Sequence, residues 1–214
     1  MIRAGTPTVE PALDPPGNPW SRPRHLPHFN PGKETQMITY RLRDSLPLEV
    51  ARHRLNACDT ETNVEYRKRI DEYLDNGHGC CALKDTKYAQ LIIDNWRLFN
   101  GSRYHLCAWV IMPNHVHVLI TLTGSTSLAK IIQSWKSYTG HRLPVPWQRE
   151  YWDRYIRNDE HYQQAISYIH ENPVKAHLCA TVDEWQWSSL AIPGGSSAGS
   201  TLGTSIVKSD KTTP

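Results

Sequence analysis

Two histidines stand one residue apart in the segment MPNHVHVLIT, Met112 to Thr121, just before a run of β-branched and aliphatic residues. Side chains at i and i+2 of a strand share a face, so His115 and His117 would lie about 6–7 Å apart at the Cα level. Two neutral imidazoles so placed suit a pair of ligands on one divalent cation, with Val116 and Val118 turned to the core. A half-exposed strand with two hydrogen-bonded histidines carries the same pattern. A metal site needs a third ligand and a reactive group nearby. The segment DEHYQQAISYIHENPVKAHL, 159–178, offers both. Helical residues four apart share a face, which sets Tyr168 above Asn172, with Gln164 one turn earlier and Glu171 alongside. Pro173 disfavours the α conformation at Asn172, so that amide is expected in the last turn, able to swing toward a ligand. The same residues also read as core contacts of Ile166, Tyr168 and Ile169 followed by a helix stop.

The elements that must hold these groups follow from periodicity. MITYRLRDSLP reads as a strand in which Ile38 and Tyr40 alternate with Thr39 and Arg41, ended by Asp44, Ser45 and Pro47. Spaced leucines and isoleucines predict helices over 47–55 and 63–74, the second closed by Asn76-Gly77. GCCALKD is expected as a short strand or extended segment. Asp85 is the N-cap of a helix reaching Phe99, with Tyr88, Leu91, Ile92, Trp96 and Phe99 on its apolar side. RYHLCAWVIM and HVHVLITL form a hairpin joined by Pro113-Asn114. Ser125 or Ser127 caps a helix through about Tyr138, carrying Leu128, Ile131, Ile132 and Trp135, and PVPW is a rigid connector. YWDRYI is another strand, and Asn158 or Asp159 caps a helix running to His170 or Asn172. This order predicts an α+β fold with helices packed on one antiparallel sheet, of which the ferredoxin-like arrangement is one form.

Of the 214 residues, 39% are hydrophobic and the mean hydropathy is -0.57, with much of the polar excess at the ends. Residues 1–34 hold eight of the fifteen prolines, and 192–214 are rich in Gly, Ser and Thr. Neither stretch has the apolar surface to offset ordering entropy, so both are expected as disordered tails around a folded body at 35–191. No basic segment leads into an apolar run at the N-terminus, and no run approaches a membrane span, which predicts a soluble cytoplasmic protein. The five cysteines have neither disulfide-framework nor zinc-ligand spacing, which makes a structural zinc protein the weakest reading; Cys107 is expected in the core.

The net charge of +3 is mild, but its distribution is uneven. Between Leu128 and Asn158 stand six bases (Lys130, Lys136, Arg142, Arg149, Arg154, Arg157) against two acids, with six aromatics among them. Cations pair with phosphates and aromatic faces stack on unpaired bases, so the six cations and Trp135 are candidate nucleic-acid contacts. A solvated surface over a Trp-rich core gives the same composition.

Taken together, ITYRLRDSLP, WVIMPNHVHVLI, IIQSWKSYTG, PWQREYWDRYIRNDEHY and YIHENPVKAHL resemble, in content and order, the blocks of the REP-associated tyrosine transposases. These are a branch of the single-tyrosine HUH nucleases, named for His, hydrophobic residue, His. The resemblance covers about Ile38 to Trp187. It implies a ferredoxin-like or RRM-like HUH nuclease core, with His115 and His117 as metal ligands, Tyr168 as nucleophile and Asn172 as third ligand. It also implies Mg2+ or Mn2+ as cofactor and single-stranded hairpin DNA as partner. The activity implied is cleavage beside the hairpin, giving a 5′-phosphotyrosine link and a free 3′-OH. The chain would act as a monomer or homodimer. A neutral ligand set of two imidazoles and an amide favours Mn2+ somewhat over Mg2+. No residue in the sequence declares itself as the base for Tyr168. Two departures stand out: His177 occupies a position where the family usually has glycine, and the segment from Gly140 to Pro146 is short. Tyr138 is the alternative nucleophile, and a DNA-binding module that has lost cleavage is the alternative function.

Overall fold

The computed structural model describes residues 20–21, 28–29, 35–47, 50 and 63–191. Its elements are β1 (Trp20–Ser21), β2 (His28–Phe29), β3 (Thr35–Arg41), α1 (Asn63–Asp75), a 3-10 turn (Ala82–Lys84), α2 (Thr86–Leu98), β4 (Tyr104–Ile111), β5 (His115–Leu122), α3 (Leu128–Gly140), β6 (Trp152–Tyr155), α4 (Asp159–Lys175) and a second 3-10 turn (Val182–Glu184). Four residues of the expected N-terminal tail are thus strand: β1 and β2 pair antiparallel, and β2 lies against β6. The rest of that tail, the tail at 192–214, most of the predicted 47–55 helix and Cys58 fall outside the described residues.

The main sheet is antiparallel, in the order β4-β5-β3-β6. The central strands β3 and β5 are buried nearly throughout, because helices cover both faces. On one face Ile38, Tyr40, Val116, Val118 and Ile120 meet Ile92, Ile93 and Trp96 of α2 and Ile131, Ile132 and Trp135 of α3. Each side chain so enclosed contributes about 1.5–3 kcal/mol. Three indole N–H groups in this core are satisfied: Trp96 donates to Tyr40 Oη at 3.0 Å, Trp135 to Tyr104 Oη at 3.0 Å and Trp147 to Thr139 Oγ1 at 2.8 Å. On the other face Met37, Ala108, Val110 and Leu119 pack against Ala165 and Ile169 of α4. Ile70 and Leu74 anchor α1 in a third cluster with Leu46 and the partly buried Trp152.

A register shift between Leu106 and Ala108 makes Cys107 the extra residue of a β-bulge. Tyr104 and Leu106 therefore face α2 and α3, whereas Ala108 and Val110 face α4, and Val110 pairs with His117. Cys107 is partly buried against the α4 side, its thiol 3.5 Å from Thr121 Oγ1.

The expected extended run at GCCALKD is a left-handed turn and a 3-10 turn. Gly77, Gly79 and Cys81 all have positive φ, which breaks strand geometry. Gly79 is needed there, since a Cβ would come 2.6 Å from the Asp44 carbonyl oxygen. Asp85 caps α2 as expected, accepting from Lys87 N at 3.0 Å, and Asn158 caps α4 by accepting from His161 N at 2.9 Å. Ser127 is the N-cap of α3 but makes no side-chain capping bond.

The helix end at Pro173 differs from the sequence reading. α4 runs through Pro173 to Lys175, and Asn172 is helical. Proline sacrifices one hydrogen bond here, and the following turn recovers its ends. His177 takes φ 55 while its N–H bonds Val174 O at 3.0 Å and Leu178 N–H bonds Pro173 O at 2.9 Å. That is a Schellman closure with histidine at the left-handed position.

Candidate active site

The register of the central strands builds the site. Thr39 lies opposite His117 and Arg41 opposite His115, so both imidazoles point to the α4 side while Val116 and Val118 enter the larger core. Both histidines are 1% exposed, not half-exposed. Their Nε2 atoms converge to 3.1 Å with rings 84° apart.

The outer nitrogens are fixed by neighbours. Asn114 donates its amide to His78 O at 2.9 Å, which leaves its oxygen to accept from His115 Nδ1–H at 2.8 Å. His115 Nε2 therefore carries a lone pair. His117 Nδ1 lies 2.7 Å from Thr39 Oγ1. The Gly-rich turn after α1 thus reaches His115 through His78 and Asn114. Burial, the neighbouring His117 and the Arg41 guanidinium hold His115 well below the usual histidine range, and burial pushes His117 down to about 3. Both rings are neutral at neutral pH. The His115 Nε2 lone pair meets His117 Nε2 at 3.1 Å, and two imidazole nitrogens converging at that distance fit a pair of ligands on one divalent ion. Among the described residues no group of three or more His, Cys, Asp or Glu is placed to hold a metal ion.

From α4, the Tyr168 ring stands edge-on to His117 with centroids 5.3 Å apart. Asn172, buried one turn on, donates its amide N–H to the Tyr168 carbonyl at 3.4 Å, leaving its oxygen as the end suited to a cation. The Tyr168 hydroxyl donates to Asp71 Oδ2 of α1 at 3.1 Å. Burial, then the Asp71 carboxylate, raises the phenol above its ordinary range, and the Asn172 amide acts the other way. A cavity of about 260 Å³ adjoins the phenol, bounded by Thr39, Asp71, Trp152, Arg154, Gln164 and Tyr168 among others. Gln164 and Glu171 do not bridge to the pair: Gln164 bonds Glu160 at 3.2 Å, and Glu171 forms an ion pair with Lys175 at 2.9 Å.

Two of the candidate nucleic-acid contacts are corrected. Trp135 is 1% exposed in the aromatic core, so it offers no face to a base. Lys136 Nζ donates to the Gln148, Arg149 and Glu150 carbonyls at 2.9, 3.3 and 2.9 Å, fastening α3 to the chain before β6. Burial, then Arg41, pulls that ammonium down to about 7. Lys130, Arg142, Arg149, Arg154 and Arg157 are exposed, and Arg154 borders the cavity beside Tyr168. Tyr138 is 45% exposed on α3 beneath the Arg142 guanidinium, without the setting of Tyr168.

Asp71, Asn114, Thr39 and Arg41 were not found from the sequence. Asn114 had a local signal, a carboxamide beside His115; the other three are set by tertiary contact.

The family model described as Transposase IS200 like matches residues 95–172, a window that includes His115, His117, Tyr168 and Asn172. A REP-associated tyrosine transposase of Escherichia coli is 30% identical over 111 residues, half of this chain and 67% of that protein. A protein of Haemophilus influenzae described as a putative REP-associated tyrosine transposase is 28% identical, over 41% of this chain and 59% of its own length. Among solved structures, a REP-associated tyrosine transposase bound to a REP hairpin superposes with a TM-score of 0.51 at 21% identity, covering 80% of this chain and 83% of that one. The fold is shared, and with the identity to the E. coli protein it decides the assignment: the chain belongs to the REP-associated tyrosine transposases, a family of DNA-processing enzymes.

Proposed function

We propose that the protein is a metal-dependent single-stranded DNA transesterase that cuts beside DNA hairpins through a covalent 5′-phosphotyrosine on Tyr168. The observation that carries this reading is the convergence of two buried neutral imidazoles at 3.1 Å with a phenol ring edge-on to one of them. His115, His117 and Asn172 would hold the ion, Mg2+ or Mn2+. When bound there, a divalent cation supplies Lewis-acid stabilisation of the phosphate and orients it. The protein supplies the rest. Asn114 and Thr39 keep the imidazoles turned inward, α4 carries the phenol to the same face, and the burial of the site limits access of competing water. Attack by Tyr168 Oη on phosphorus conserves the phosphodiester energy in the new ester, so a later 3′-OH can rejoin DNA without ATP.

Hairpin DNA as partner is supported by the relative of known structure, which is bound to a REP hairpin. The exposed Lys130, Arg142, Arg149, Arg154 and Arg157 are its proposed phosphate contacts. One chain supplies both His117 and Tyr168, which supports cleavage within a monomer, although a homodimer can use two such sites. No helix among the described residues is long and apolar enough to cross a membrane, and a cytoplasmic location stays part of the proposal.

The test uses a single-stranded DNA library with self-complementary stems and randomised arms, incubated with MnCl2. The wild-type chain should form denaturant-resistant protein–DNA adducts, and Tyr168→Phe should form none. Adducts that persist in Tyr168→Phe would remove the nucleophile assignment. Hairpin binding without any wild-type adduct would favour the binding module that does not cut.

A further inference from the structure

The geometry points to Asp71 as the general base that takes the proton of Tyr168, an assignment that rests on the proposed nucleophilic role of that tyrosine. The Tyr168 hydroxyl already donates to Asp71 Oδ2 at 3.1 Å, across 97 residues of sequence. A base must lie within hydrogen-bond reach of the proton it removes, and Asp71 does.

The other groups against the phenol ring are unsuited. His117 directs its Nε2 to the partner imidazole, and the Asn172 carboxamide is not a base at neutral pH. Lys175 sits 5.3 Å over the ring face as a cation paired with Glu171, and an ammonium has no lone pair with which to accept a proton. Asp71 forms no three-membered group with the His pair among the described residues, and its Oδ2 accepts from the Tyr168 hydroxyl.

Its support is rigid. Ile70, the residue before it, and Leu74 are completely buried, which fixes α1 next to Tyr168. Asp75, one turn further along α1, is driven up to about 6 by burial and then by Asp71, with Lys175 opposing. Two carboxylates one turn apart give the proton an acidic pair to enter instead of a lone, well-solvated anion.

In the step, the Oη–H proton moves to Asp71 Oδ2 as the Oη lone pair forms the bond to phosphorus. The P–O3′ bond breaks, its electrons stay on O3′, and water protonates that oxygen. In rejoining, the 3′-OH loses its proton to water, attacks phosphorus, and protonated Asp71 returns its proton to the departing phenolate oxygen. Charge and protons balance in both directions with water as the only co-reactant.

The experiment measures adduct formation on a library sequence that the wild-type chain has cut, with MnCl2 present. Asp71→Asn keeps the shape and a hydrogen-bond acceptor but not the base, and should slow the reaction by about 10²–10⁴-fold with hairpin affinity unchanged. Replacing Tyr168 by a fluorinated tyrosine that ionises near neutral pH should recover at least about tenfold of that loss, because an ionised phenol needs no base. A second arm uses Asp71→Ala, whose rate should rise with added formate. An Asp71→Asn rate within about threefold of wild type overturns the assignment. So does a slow variant that neither the fluorinated tyrosine nor formate restores, which would leave Asp71 a structural contact. Failure of the underlying reading looks different: the wild-type chain forms no adduct, or Tyr168→Phe keeps it.

Discussion

At the residue scale, the site depends on lone-pair direction. His115 can turn Nε2 inward because Asn114 takes its Nδ1–H, and Asn114 can do so because His78 O holds its amide group. Asn114→Ala should therefore leave the fold intact yet weaken Mn2+ binding by about 10–100-fold, as measured by titration calorimetry. Unchanged affinity would remove Asn114 from the support of the site. The two histidines, Tyr168 and Asn172 could be singled out because they lie in short sequence blocks with fixed spacing, and the structure brings His115, His117 and Tyr168 together. Asp71 was not legible. Nothing in NVEYRKRIDEYLD distinguishes it from Glu72 or Asp75, and its pairing with Tyr168 exists only after α1 packs beside α4. Trp135 and Lys136 show the converse error, since a basic and aromatic pattern does not record which side of a helix is covered.

At the element scale, α4 carries the proposed nucleophile and has an unusual exit. The left-handed backbone at His177 explains why glycine suits this position, and a histidine there costs conformational energy. His177→Gly should stabilise the protein by about 0.5–1 kcal/mol in urea denaturation, with adduct formation unaltered. A loss of stability would mean that the imidazole makes compensating contacts. Strand and helix positions were largely readable from period and caps, as at Asp85 and Asn158. Pro173 was not, because local preference argues for a stop, whereas packing of Ile169 and Asn172 under the sheet carries the helix one turn further. The bulge at Cys107 was also hidden. It changes which residues of β4 face α4, and alternation alone does not reveal where it slips.

At the scale of the whole molecule, enclosing two imidazoles ties stability to pH. His117 has a folded pKa near 3 against 6.5 when unfolded, so between those values the unfolded chain binds more protons. Stability is then fully present above about pH 6.5 and falls on acidification, with His117 alone removing about 2 kcal/mol at pH 5. His115, lowered by the same burial, adds to the loss. Asp75, raised to about 6, titrates in the opposite sense, but its partial exposure weakens that offset. Urea denaturation in EDTA at pH 7 and pH 5 should show the drop, and a His115→Asn, His117→Asn variant should lose most of it. Equal stability at the two pH values would contradict neutral buried imidazoles.

Covalent attachment of Tyr168 to DNA over the histidine pair, as proposed, can be read from the adduct itself. After reaction with the hairpin library and MnCl2, nuclease and trypsin digestion should leave the residual nucleotide on the peptide Asn158–Lys175, which holds Tyr162 and Tyr168. Fragmentation mass spectrometry is expected to place it on Tyr168. Attachment to Tyr162 or Tyr138, or DNA cut with no tyrosine modified, would contradict the account.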